Sequence, residues 1–176
     1  MAGLDSAYHG KSSFGAAVTV DLETMKTKEA ATVRGETAFP YVPGFLAFRE
    51  APIILAAATK LKIRPDVYLV DGQGYAHPRR FGLACHVGLA LNAPTIGVAK
   101  SRLCGTISGT RLRDRGETIG AILRGRSGKQ FYVSVGHKIS LRDAIKIASR
   151  CFAAGSRDPI SLAHMEADRM REATAL

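Results

Sequence analysis

The chain has 176 residues, 46% of them hydrophobic, which suits one globular domain spanning residues 1–176. The amino-terminal MAGLDSAYHGKSS lacks the apolar segment of a signal peptide, and the longest apolar run, near Pro52 to Ala58, is too short to span a bilayer, so a cytosolic, non-membrane protein is expected. The net charge is +10, and residues 100–150, with twelve Lys or Arg against Asp114, Glu117 and Asp143, hold nearly all of it, which favours a polyanionic partner over a merely solvated basic surface.

AGLDSAY reads as a first strand. In GAAVTVDLE, Val18, Val20 and Leu22 alternate with Thr19, Asp21 and Glu23, the period of a half-buried strand, and KEAATVRGETAF completes a meander. Helical spacing follows in GFLAFREAPIILAAATKL, which Pro52 is expected to kink or divide. Next come the strand VYLVD, the helix FGLACHVGLAL and the strand PTIGVAK. RLRDRGETIG and LRGRSGK read as exposed basic turns beside the strands GETIGAILR and QFYVSVGH, the latter placing Phe131, Val133, Val135 and His137 on one face. Ser140 with Asp143 resembles a capping box, and Asp158-Pro159 offers an N-cap and a first-turn proline to the last helix. The order predicts an α/β fold with a mixed sheet covered by helices; a doubly wound parallel sheet is the alternative. Cys85, Cys104 and Cys151 lack the number and spacing of a disulfide framework or a zinc site and read as reduced thiols.

Three carboxylates interrupt this pattern. Asp5 lies inside the first strand, and Asp71 ends VYLVD on the face of Val67 and Leu69. Glu50 shares a helical stripe with Leu46, Ile53, Ile54, Ala57 and Leu61. Burying three acids is tolerable if they share protons, pair with cations or bind a metal, and all-oxygen ligands select a hard ion such as Mg²⁺ or Mn²⁺. The alternative is three separate pairings with arginines.

The turn DGQGYAHPRRFG is no dinucleotide fingerprint, because His77 stands where a third glycine is needed. Instead Gly72, Gly74 and Gly82 allow close backbone approach to a ligand, Arg79 and Arg80 offer donors to phosphates, and His77 is a further candidate nucleic-acid contact. Lys100 ends PTIGVAK, where it can reach the edge occupied by Asp71. His137 taken alone reads as an edge or core histidine, and His9, His77, His86 and His164 form no helical ligand pair.

In order, AGLDSAY, PYVPGFLAFRE, VDGQGYAHPRRFG, PTIGVAKSRLCG and SVGHKIS resemble the endonuclease V family, deoxyinosine-directed nucleases with an RNase H-like fold. The resemblance runs from residue 2 to about residue 152. It implies metal-binding carboxylates at Asp5, Glu50 and Asp71, with Mg²⁺ as cofactor and Mn²⁺ as substitute, an active-site lysine at Lys100 and a late catalytic histidine at His137. It also implies a strand-separating wedge at Pro40, Tyr41, Val42 and Pro43, and a base pocket lined by backbone at Gly44, Gly72 and Gly82. The activity implied is DNA repair by a monomer that hydrolyses the second phosphodiester bond 3′ to a flipped hypoxanthine, and several members also act on inosine in RNA. Two departures are visible: Gln73 stands where many members place His, and many relatives carry helices before the first catalytic strand, so peripheral DNA contacts are expected to differ. Two rival readings remain: a non-cleaving inosine reader, which has no use for the acid set, and a junction nuclease, which has no use for a wedge at Tyr41.

Overall fold

The first segment forms the expected meander of β1 (Ala2–His9), β2 (Ser12–Val20) and β3 (Thr27–Glu36) with antiparallel pairing throughout. β2, however, ends at Val20 and is buried on both faces, Thr19 included, rather than half-buried, because helices cover both sides of the sheet. The structure, a computed structural model, describes residues 1–37, 39–42, 44–126, 128–153 and 158–175. The short apolar strands β4 (Tyr68–Asp71) and β5 (Thr95–Ala99) add to β1 in parallel. β9 (Gln130–His137) returns antiparallel on β5 and carries β8 (Glu117–Arg124), β7 (Arg111–Asp114) and β6 (Thr106–Ser108) outward. The sheet order is β3-β2-β1-β4-β5-β9-β8-β7-β6, a mixed sheet rather than a doubly wound parallel one.

Helices cover both faces. α1 (Leu46–Thr59) and α2 (Leu83–Leu91) bury Ile54, Ala57, Leu83 and Val87 against Leu4 and Val70. α3 (Leu141–Ala153) and α4 (Pro159–Ala175) bury Ala148, Phe152 and Ala163 against Phe14, Leu69 and Val98. Neighbours in β4, Leu69 and Val70, serve opposite cores, as the period of two requires. Both are fully buried, and truncating Leu69 to alanine would cost about 2–5 kcal/mol. α4 sits hard on β1: a Cβ added to Gly3 would fall 2.0 Å from the Pro159 carbonyl oxygen.

Both predicted helix starts form. Oγ of Ser140 accepts the Asp143 N–H at 3.1 Å and donates to its carboxylate, while Oδ1 of Asp158 accepts the N–H groups of Ile160 and Ser161 at 3.0 Å. Two expectations change. Pro52 lies inside one continuous α1, because it and Phe48, whose carbonyl loses its N–H partner, both lie on the exposed side. The predicted basic turn RLRDRG contains β7, whose Leu112 faces inward between the exposed Arg111 and Arg113, too short an alternation to stand out in sequence. Among the described residues no helix is long and apolar enough to cross a membrane.

Candidate active site

Strand register assembles the acids. Leu4 pairs with Val70 across the parallel strands β1 and β4, so Asp5 and Asp71 follow as neighbours, with strand axes about 4.8 Å apart. Asp71 in turn pairs with Val98 of β5, and Lys100 follows two residues later, close enough for its ammonium to donate to Oδ2 of Asp71. Glu50 comes from α1, on the other layer.

Electrostatics tie the three together. Burial, then the charge of Asp71, pushes the Asp5 carboxyl up to about 6, against the Ser6 N–H and His164. Burial, then the charges of Asp5 and Asp71, pushes Glu50 up to about 8. For Lys100, burial favours the neutral amine, but the hydrogen bond and charge of Asp71 outweigh it and the ammonium is retained. The alternative of three arginine pairings does not hold among the described residues. Asp5 takes His164, Asp71 takes Lys100, and the neighbouring Arg49 of Glu50 instead donates to the Phe39 carbonyl and lies over the Tyr8 ring. This leaves a mutually repelling all-oxygen set, the donor chemistry of a hard divalent cation. No three Asp, Glu, His or Cys side chains among the described residues already close on one point; Lys100 holds Asp71 instead.

His137 is not part of this cluster. It pairs with Thr95 at the start of β5, about 10 Å along the strand from the position of Asp71, and a bulge at Thr95/Ile96 leaves Gly136 extra and breaks the predicted common face. A Cβ on Gly88 of α2 would lie 2.4 Å from the His137 Cβ, so this histidine packs against the α2 layer, away from the acids. The histidine at the acids is His164 of α4, with Nδ1 2.7 Å from Oδ2 of Asp5 and Nε2 3.3 Å from Oδ2 of Asp168. Its signal in the sequence is a His–Asp pair four residues apart, on one face of a helix.

A cavity of about 520 Å³ opens between α1, α2 and the β4 turn, with Gln73, two residues after Asp71, in its wall. Tyr41, Gly44, Phe48, His77, Gly82 and Leu103 belong to its walls. Tyr41 stands at 68% exposure with no packing role, and Pro40 and Val42 flank it in the open; Pro43 lies outside the described residues. Gly82 is required here, because a Cβ would lie 2.4 Å from the Gln73 carbonyl oxygen. Gly72 instead packs on the Leu83 side chain beneath the cavity, so it supports the pocket without lining it. Burial, Arg79 and His86 keep His77 neutral, with Nδ1 accepting the Arg79 N–H at 3.2 Å.

The two arginines divide. Arg79 donates to the Gly44 carbonyl at 3.0 Å and lies 4.4 Å over Phe45, bracing the cavity rim. Arg80, expected at phosphates, instead spends its donors on Asp114 at 2.9 Å, Glu117 at 3.1 Å and the His77 carbonyl at 3.2 Å, which locks the β7–β8 hairpin to the β4 turn.

The profile described as Endonuclease V matches residues 1–167. The chain is 48% identical to the endonuclease V of Nostoc sp. (strain PCC 7120 / SAG 25.82 / UTEX 2576) over 165 residues, covering 86% of this chain and 73% of the relative. Among solved structures, that of the Streptomyces avermitilis endonuclease V superposes with a TM-score of 0.89 at 37% identity, covering 99% of this chain and 82% of the other. The Ciona intestinalis endonuclease V, solved with a 24mer DNA containing an inosine followed by a ribo-adenosine, superposes with a TM-score of 0.86 at 27% identity, over 98% of this chain and 86% of that one. With its RNase H-like mixed sheet, the chain belongs to the endonuclease V family of nucleases that hydrolyse phosphodiester bonds.

Proposed function

We propose that this protein is a Mg²⁺-dependent endonuclease that recognises deoxyinosine in DNA, and the same base in RNA, and hydrolyses the second phosphodiester bond on its 3′ side. The observation that carries the reading is that Asp5, Glu50 and Asp71 are near enough for their charges to raise the Asp5 and Glu50 carboxyls, while none of the three is hydrogen-bonded to an arginine among the described residues. Asp5 and Asp71 would hold the cation directly, and Glu50 directly or through water. When bound, the cation supplies an activated water and stabilises the leaving 3′ oxygen.

The chain's own groups do the rest. Lys100 offsets charge on the phosphate at the acid edge, and His164 orients the Asp5 carboxylate while its ring is held by Asp168. Lys100 must release part of its hold on Asp71 as the phosphate arrives. The extruded base enters the cavity walled by Gly82 and His77, where backbone and a neutral imidazole read its edge, and Tyr41 fills the gap left in the stack. Inosine on the Ciona protein's DNA supports this choice of base.

The test is cleavage of matched oligonucleotides, with and without one inosine, in Mg²⁺ and in EDTA. Cleavage confined to the inosine strand in Mg²⁺ is expected. Tight binding with no cleavage would identify a reader, and equal cleavage of both strands would remove inosine from the account.

A further inference from the structure

Next to the base cavity lies another cleft, of about 620 Å³. Asp71 of the β4 end lines this cleft, whereas Gln73, two residues later, lines the base cavity, so the two cavities adjoin at the end of β4. The near wall of the cleft is Asp71, Lys100 and His164, and the far wall is the β8–β9 hairpin with Arg126 and Lys129. Its floor is apolar: Phe131 stacks on Phe152 with centroids 4.3 Å apart and planes 16° from parallel.

The charges in this cleft are arranged for an anion. Arg126 and Lys129 are exposed, and no described acid pairs with either, while the Lys129 ammonium lies 5.7 Å from the Phe131 ring centroid, over the floor. Asp158 also lines the cleft, but its carboxylate is spent on the N–H groups of Ile160 and Ser161 and on the Ser161 hydroxyl. An apolar floor beneath two uncommitted cations suits a sugar and base edge with their phosphate, and a free surface hairpin would have no need of the enclosed floor.

We propose that this cleft is a subsite for the cleaved strand beyond the scissile phosphate, on its 3′ side, with Arg126 and Lys129 holding the phosphate there. The inference rests on the inosine-nuclease reading, which sets the base in one cavity and the second phosphate 3′ to it at the acids. The strand then has to leave across the acids, and this cleft is what it meets.

The experiment compares wild type with the Arg126→Ala/Lys129→Ala double variant on single-stranded inosine oligonucleotides. One set ends a single nucleotide after the cleaved bond, and the other continues for several. On the long arm the variant should raise KM about tenfold with kcat little changed, and its log K against log salt slope should flatten by about 0.7 for each phosphate it no longer holds. On the short arm the two proteins should differ by less than about twofold, within the scatter of surface substitutions. The charge-keeping Arg126→Lys/Lys129→Arg variant should restore the slope. An equal loss on both arms, no loss on either, or a loss seen only when a complementary strand is annealed would each overturn the subsite while leaving the nuclease reading intact. Failure of wild type to cleave any inosine oligonucleotide would instead overturn that reading, and the subsite with it.

Discussion

Nδ1 of His164 lies 2.7 Å from Oδ2 of Asp5, although 159 positions separate them, and Nε2 of the same ring lies 3.3 Å from Oδ2 of Asp168. One imidazole thus connects a strand carboxylate at the acid edge to a carboxylate one helical turn further along α4. Such outer partners of a ligating group are worth about 10–100-fold in activity when removed. His164→Ala should lower the single-turnover rate by about 100-fold and Asp168→Asn by about 10-fold. His137→Ala, against the α2 layer, should stay within about twofold. The His164 side chain is half exposed, so the thermal midpoint of its variant should hold. A rate unchanged in His164→Ala, or collapsed in His137→Ala, would reverse the assignment of the two histidines.

Mutual repulsion among the acids makes a stability prediction. Glu50 is pushed up to about 8 by burial and by Asp5 and Asp71, so folding at neutral pH carries the cost of keeping or neutralising that carboxylate. Glu50→Gln removes the cost and should stabilise the metal-free protein by roughly 1–2 kcal/mol, at about 2–4 °C of midpoint for each kcal/mol in a chain this size. Added Mg²⁺ should raise the wild-type midpoint and move the variant less, because a cation stabilises only the fold that binds it. Scanning calorimetry in EDTA and in Mg²⁺ checks both directions. A variant less stable than wild type in EDTA would show that Glu50 is held by contacts and not by a shared cation.

The acids are legible because a carboxylate inside an apolar strand or stripe contradicts its surroundings in one dimension already. Asp5, Asp71 and Glu50 each break a period of two or of 3.6, and Lys100 directly follows the uncharged run Ile96–Ala99. What the sequence conceals depends on register. The bulge that leaves Gly136 extra turns His137 out of the face its spacing implies, and a single inserted residue has no signature in alternation. His164 does not stand out in the sequence because its partner Asp5 is brought to it only by the docking of α4 on Gly3. Arg80 looks free beside Arg79 because Asp114 and Glu117 belong to a hairpin more than thirty residues away.

The arginines of the chain include two kinds. Arg111, Arg113 and Arg115 are exposed on or beside β7, and replacing all three with alanine should flatten the salt dependence of nucleic-acid binding by about 0.7–0.9 for each phosphate they engage. Arg80→Ala should leave that slope unchanged and lower the thermal midpoint, since its donors bind Asp114 and Glu117. Binding isotherms across a salt series, with melts of the same samples, distinguish the two. A flattened slope for Arg80→Ala at wild-type stability would return it to the phosphates.

Tyr41 projects from the cavity rim at 68% exposure, so Tyr41→Ala removes no core packing and should not shift the melt. Base–aromatic stacking is worth about 1–3 kcal/mol, which predicts a loss in lesion affinity of roughly five-fold to two-hundred-fold. A wedge helps most where bases must be unstacked, so the loss should be larger on duplex than on single-stranded inosine substrates. Titration of both substrates under non-cleaving conditions measures the difference, and equal losses would contradict wedging.

The shared cation is tested most directly by single-turnover cleavage of an inosine oligonucleotide by Asp71→Asn at saturating Mg²⁺, with lesion affinity measured on the same preparation. The substitution keeps the shape of the side chain and removes the charge that faces Asp5, Glu50 and Lys100. Cleavage should fall by at least about 1,000-fold, as several kcal/mol of charge stabilisation requires, with affinity for the inosine strand retained. Turnover near the wild-type rate would rule out a cation shared by Asp5, Glu50 and Asp71.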